Sequence, residues 1–289
     1  MKNTFITAAV LAITASTASA ELNYANAFAK YHDLDAGGAS ADLSVFGGAL
    51  EFSAGDWTLS GELGVFDLEG TISLNTLSLG GEYAFTNGLS LGLDHARVSV
   101  DGLALDLDIT SVYGYYKFGD YALGLSIGDG SELTDPVVSI FGSWDVTPTG
   151  RVGFDIMKIE NETLVAGYAD YEAEKFSVGA TLLSTEGFDV FAVSGSYEVY
   201  NNLSVIGSLG RVDLLGQDLN SVSLGLEYEF TPGASAELSL GRLSAGGGND
   251  IDVVSFGLQY ELGRRTTSRR SLTSIINQAT GNIVGRSSF

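Results

Sequence analysis

The chain has 289 residues, no Cys, two His, three Pro and 38 Gly, with 36 Asp and Glu against 14 Lys and Arg. So acidic a chain repels the phosphate backbone and excludes nucleic acid as a partner. Fifteen Phe, 13 Tyr and a hydrophobic fraction of 45% exclude a disordered acidic chain, which lacks aromatics.

Residues 1–20 read as a secretory signal peptide. Lys2 supplies the charge, Phe5 to Ala15 the apolar stretch, and Ala18-Ser19-Ala20 a small-residue cleavage site. The mature protein is expected to start at Glu21 and to act outside the cytoplasm. No other apolar run is long enough for a membrane helix. Without disulfides, such an exported chain is held by its backbone ladder and packing alone.

A first strand is expected near Leu22 to His32, where Ala25, Ala27, Ala29 and Tyr31 compete with Tyr24 and Phe28 for the outer face. Eight nine-residue segments then align without gaps: SVFGGALEF, LSLGGEYAF, TSVYGYYKF, VSIFGSWDV, TLVAGYADY, FAVSGSYEV, VSLGLEYEF and VSFGLQYEL. Each alternates at period two, the mark of a strand rather than a helix. Seven are followed at once by a short turn, such as Ser53-Ala54-Gly55-Asp56 or Tyr200-Asn201-Asn202, and then by a second alternating run. Those runs end in acidic, Gly-rich connections expected to be longer, such as Gly128-Asp129-Gly130-Ser131-Glu132. Pro136, Pro148 and Pro232 all fall at strand ends or turns.

Seven hairpins, a first strand and a last one ending at Leu262 make 16. The expected fold is all-β, a closed antiparallel transmembrane β-barrel over 21–262, with 14 or 18 strands as the adjacent even counts. In lipid every backbone donor and acceptor must be paired internally, so strands span only as a closed sheet. Phe52, Phe85, Phe118, Tyr171 and Phe230 fall on one parity at the short-turn end, with Tyr83, Tyr116, Trp144, Tyr197, Tyr228 and Tyr260 beside them. They predict an aromatic girdle. The other parity is small or polar, as in Ser60, Glu62, Gly64, Ser90, Gly92 and Asp94.

Ser255-x-Gly257-x-x-Tyr260-x-Leu262 and Ser223-x-Gly225-x-x-Tyr228-x-Phe230 resemble the terminal-strand signal read by the outer-membrane assembly machinery. From Glu21 to Leu262 the plan resembles the Gram-negative outer-membrane porins, especially the alphaproteobacterial ones. That resemblance implies 16 strands, a homotrimer, lipid and lipopolysaccharide around the barrel, and diffusion of small hydrophilic solutes. The chain departs from the family in three ways. The connection near Ala96 to Ala104 is too short for the family's long constriction loop. The barrel segment holds no Arg cluster. And 27 residues follow the signal, which in the family closes the chain.

Barrel charge sharpens the expectation. Its 8 basic and 36 acidic residues give 8 − 36 = −28. One residue before each repeat's end, on the inward parity, stand Glu51, Ala84, Lys117, Asp145, Asp170, Glu198, Glu229 and Glu261. The six carboxylates form an expected pore-lining ring near the periplasmic mouth, and such rings select cations. Arg97, Lys158, Arg211 and Arg242 lie outward at the far strand ends, placed for lipopolysaccharide phosphates or for snorkelling at the membrane edge. Asp94-His95 imitates an acid–base pair, but a His at a strand end is far more often structural, and no enzyme is expected. The acidic loops lack the ligand spacing of a calcium loop. No cofactor is expected.

The tail, 263–289, carries Arg264, Arg265, Arg269, Arg270 and Arg286 and no acid. Leu272, Ile275 and Ile276 suggest a short helix. The tail is expected against the acidic lumen, against anionic periplasmic surfaces, or disordered. The reading favoured by sequence is an outer-membrane porin, a passive water-filled channel that prefers small cations. The alternative is a sealed structural or surface-display barrel.

Overall fold

The structure, a computed structural model, describes residues 21–69, 71–101, 105–214, 217–246 and 250–284. The signal segment, Arg286 and the Gly247–Asn249 run lie outside them. The strands are β1 (Glu21–Asp35), β2 (Ser40–Ala54), β3 (Trp57–Leu68), β4 (Ile72–Ala84), β5 (Leu89–Asp101) and β6 (Leu105–Phe118). β7 (Tyr121–Gly130), β8 (Val137–Thr147), β9 (Gly150–Ile159), β10 (Glu162–Glu172) and β11 (Phe176–Thr185) follow. Then come β12 (Phe188–Tyr200), β13 (Leu203–Leu214), β14 (Gln217–Thr231), β15 (Ala234–Ala245), β16 (Asp250–Gly263) and one helix, α1 (Leu272–Val284). No described helix is long and apolar enough to cross a membrane.

All 16 strands are antiparallel. Each pairs with its sequence neighbours, and β1 closes on β16 from Tyr24↔Gly263 to Asp35↔Asp252. A closed barrel has no sheet edge, so the strands pair on both sides all the way round. The mouth where β1 begins and β16 ends is called here the terminal mouth, the other end the distal rim.

The period-two pattern sorts side chains by face. On β7, Leu123, Leu125 and Ile127 stand exposed outside while Ala122, Gly124, Ser126 and Gly128 face the lumen. The same division runs around the barrel and leaves an apolar exterior belt. On β1 the ambiguous parity is decided. Tyr24 and Phe28 are buried inside, and Tyr31 is outside. Phe28 packs on Leu43 and Val45 of β2, which hold it in.

At the terminal mouth the aromatic girdle is continuous over several strands. Trp57 meets Tyr83 at 5.1 Å and Tyr83 meets Phe85 at 4.7 Å, both edge-on. Phe118, Tyr121 and Trp144 stack at 5.7 and 5.5 Å. Ring pairs of this kind add to area burial, and amphipathic rings favour a lipid–water boundary.

Two expectations need correction. The connections at the distal rim are not long loops. Strands run on into the segments read as loops, β1 through Asp35 and β7 through Gly130, and the intervening connections span two to six residues. Nothing along these runs breaks the ladder, so pairing continues past the apolar exterior belt and carries the acids with it. Nor is the inward face only small and polar. Leu43, Val45, Ile109, Val137, Met157, Leu183 and Val190 form apolar patches on it.

The patches around Ile109 and Leu183 are covered by the tail. Gly263 ends β16 at φ 72, left-handed backbone that suits glycine, and a Cβ there would collide with the Asn23 carbonyl. The chain thereby leaves the wall and turns into the lumen, with Arg264 N donating to Asn23 O at 3.0 Å. It climbs extended to Ser271, whose hydroxyl accepts from Ser274 N at 3.1 Å and caps α1. Leu272, Ile275 and Ile276 share one helical face. Leu272 packs with Ile109, Val137 and Met157, and Ile275 with Ala166, Leu183 and Val190. α1 touches β3, β4 and β5 on one side and β11, β12, β13 and β14 on the other, so it lies across the lumen.

Candidate functional site

The lumen and its terminal mouth gather buried polar side chains from many strands. The six ring carboxylates all stand on inward-facing positions. Backbone bonds fix four of them at one level, because each N–H donates to a carbonyl in a neighbouring turn: Asp145 to Asp120, Glu198 to Lys175, Glu229 to Asn202 and Glu261 to Gly233, at 2.7–2.8 Å.

Their surroundings differ. Glu51 is buried and saturated. It accepts from Thr266 N at 2.7 Å, Thr266 Oγ1 at 2.5 Å and Thr267 Oγ1 at 2.9 Å, with Thr267 N at 3.4 Å. Asp145 holds Arg151 at 2.6 Å, with Lys117 at 3.5 Å. Asp170 holds Arg270 and accepts from Gln278 at 3.3 Å. Glu229 accepts from Gly233 N at 2.8 Å and Glu198 from Asn202 N at 3.3 Å, each tying down its own turn. Glu261 lines the vestibule. The ring is therefore not six equivalent carboxylates in water. A basic tail enters at this mouth, and the buried carboxylates take its donors because a buried charge without them would be costly.

The residues that seat the tail were mostly missed from sequence. Arg265 donates to Glu62 at 3.1 Å and lies over the Tyr24 ring at 5.1 Å from its centroid. Arg269 pairs with Asp94 between Tyr113 and Phe141, at 4.6 and 5.4 Å from their centroids. Arg270 pairs with Asp170 over Tyr168 at 3.9 Å. Higher up, Asn277 donates to Glu62 at 3.1 Å and accepts from Thr76 at 2.7 Å. One signal for this existed: a basic, acid-free tail joined to a strongly acidic barrel. Arg151 of β9 lines the mouth together with Arg264, Arg265 and Arg270 of the tail. Arg151 itself donates to Thr267 O at 3.0 Å.

Beside the tail remains a vestibule of about 480 Å³ that opens at the terminal mouth. Its wall includes Glu172, Glu227, Glu229 and Glu261 across from Arg264, Arg265 and Arg270.

Asp94 and His95 make no acid–base pair. As neighbours on a strand they face opposite ways, Asp94 to Arg269 inside and His95 to Thr110 outside, at 3.0 Å. At the distal rim Arg97, Arg211 and Arg242 are outside and exposed, and each holds an Asp of the next strand: Asp106 and Asp218 at 2.7 Å, and Asp252 at 2.9 Å. Lys158 is exposed on the same face.

No protein-family model matches the chain, and no curated protein matches it in sequence. Among solved structures it is similar to an engineered triple mutant of the Rhodopseudomonas blastica porin, at 14% identity and a TM-score of 0.48, over 84% of this chain and 100% of that one. It is also similar to Pseudomonas aeruginosa OpdQ, at 11% identity and a TM-score of 0.47, over 85% of this chain and 99% of that one. The chain resembles these proteins in its barrel plan. The likeness carries nothing on activity, for which the lumen itself is the guide.

Proposed function

We propose that the chain is an outer-membrane porin, a passive channel for small hydrophilic solutes that favours cations. The observation that carries this reading is a closed 16-strand barrel with an apolar exterior and a charged vestibule open to water. Sixteen strands enclose more space than side chains alone fill. The mouth carries more carboxylate than the tail neutralises, and such a surplus concentrates cations. In this reading the terminal mouth faces the periplasm and the distal rim the cell surface. There Arg97, Lys158, Arg211 and Arg242 are assigned to lipopolysaccharide phosphates, which compete with the aspartates already beside three of them. A homotrimer and delivery by the outer-membrane assembly machinery belong to the same proposal.

One observation favours the alternative, a sealed structural barrel: α1 lies across the lumen. Planar-bilayer recording of the full chain separates the two. The channel reading expects discrete conductance steps and a reversal potential favouring K⁺ over Cl⁻ at low salt. A barrel that inserts and never conducts, with or without its tail in place, is the sealed form.

A further inference from the structure

Each of three Arg side chains of the tail is received by a carboxylate and by an aromatic ring whose centroid lies 3.9–5.4 Å from the guanidinium carbon. Tyr24 and Glu62 take Arg265, Tyr113, Phe141 and Asp94 take Arg269, and Tyr168 and Asp170 take Arg270. The receiving groups come from six different strands and belong to the barrel wall. The occupant is the chain's own C-terminal segment, tethered through Gly263. A guanidinium is planar and weakly hydrated, and presents donors in its plane and a π-face above it. A ring below and a carboxylate beside satisfy both properties, whereas an ammonium has no plane to stack.

We propose that the lumen wall is a receptor for guanidinium groups, occupied in this structure by the tail as a tethered ligand, so that the tail narrows the channel and competes with guanidinium-bearing solutes such as arginine-rich peptides. The proposal rests on the channel reading for its consequence in transport, but not for the binding itself. The wall is built for the task, because Tyr113 is buried and its hydroxyl is held by Glu82 at 3.2 Å, which fixes the ring against Phe141. Tethering favours the tail over free solute by raising its effective concentration. Removing the tail's guanidinium groups should vacate the sites and leave the wall intact.

The test uses the full chain, purified in detergent, and a fluorescein-labelled tetra-arginine peptide followed by anisotropy, with tetra-lysine carrying the same label as the comparison. The variant Arg265→Gln, Arg269→Gln, Arg270→Gln is expected to bind tetra-arginine about tenfold tighter than the unaltered chain, and tighter than it binds tetra-lysine. Adding Glu62→Gln, Asp94→Asn and Asp170→Asn should return binding to the unaltered level. If the triple change impairs folding, Arg269→Gln alone vacates the Tyr113–Phe141 site and should show a smaller gain in the same direction. Equal binding by variant and unaltered chain overturns the proposal. So does equal binding of the two peptides, which would mean that charge alone is recognised. In planar bilayers the triple variant should conduct more than the unaltered chain and be blocked by tetra-arginine. If neither conducts but the peptide binds as expected, the receptor stands and the channel reading falls.

Discussion

At the scale of single residues, Glu51 and Gly263 decide where the tail goes. Glu51 gathers two backbone N–H groups and two hydroxyls from Thr266 and Thr267. Hydrogen bonds to a charged acceptor are worth about 1.5–3 kcal/mol each, so Glu51→Ala should loosen the start of the tail. The expected outcome is faster trypsin cleavage after Arg269 and Arg270, with the barrel's own protease resistance unchanged. Unaltered cleavage kinetics would show that Glu51 does not hold the segment. Gly263→Val places a β-branched side chain in left-handed backbone, which costs on the order of 1–2 kcal/mol, and drives it against the Asn23 carbonyl. Closure of β1 on β16 should weaken, and the folded band on unheated gels should melt several degrees lower.

At the scale of elements, α1 is a marginal helix that exists because the wall receives it. Thirteen residues are barely enough for an isolated helix in water, and the tertiary contacts of Leu272 and Ile275 supply the difference. Ile275→Asp puts a carboxylate among Ala166, Leu183 and Val190, where burial without a partner costs several kcal/mol. The helix should leave the lumen, and single-channel conductance should rise relative to the unaltered chain. Conductance that stays the same would mean that α1 does not limit the pore. β16 has a different role. Its Tyr260 and Leu262 are exposed on the outer face at the terminal mouth, in the motif that resembles an assembly signal. Replacing both with Ala should reduce membrane insertion in cells, since girdle and signal lose their apolar anchors together. Normal insertion after this change would place the signal elsewhere.

At the scale of the whole molecule, charge is divided by region. The tail enters one part of the lumen wall, and Glu198, Glu229 and Glu261 stand at the mouth, where the first two also tie down their turns. Changing these three to Gln keeps size and polarity while removing charge. The preference for K⁺ over Cl⁻ should fall, most clearly at low salt, because at about 1 M the Debye length is near 3 Å and screens the mouth in any case. A reversal potential that does not move would assign selectivity to other acids. At the distal rim, outward-facing Asp33 and Asp42 stand opposite each other, as do Asp213 and Asp218. Like charges across a ladder are unfavourable; Arg211 offsets part of that cost at Asp218, and the Tyr31 hydroxyl donates to Asp42.

The sequence by itself determined the barrel. Period-two alternation, eight repeats with short turns and the aromatic positions at their ends are local signals, and strand formation in lipid obeys local rules: one face apolar, every backbone group paired. It also placed the six ring carboxylates on the inward face, because parity depends only on counting. What it left open depended on neighbours far apart in the chain. Whether Tyr24 or Tyr31 faces the lumen was settled by Leu43 and Val45 across the ladder. The length of the distal connections was settled by continued pairing beyond the apolar exterior belt. Above all, the course of the tail was decided by tertiary structure, because Glu62, Asp94 and Asp170 come from three separated strands and become a track for Arg265, Arg269 and Arg270 only once the sheet has closed. A carboxylate's partner is a property of the space it faces, and that space does not exist until β1 meets β16.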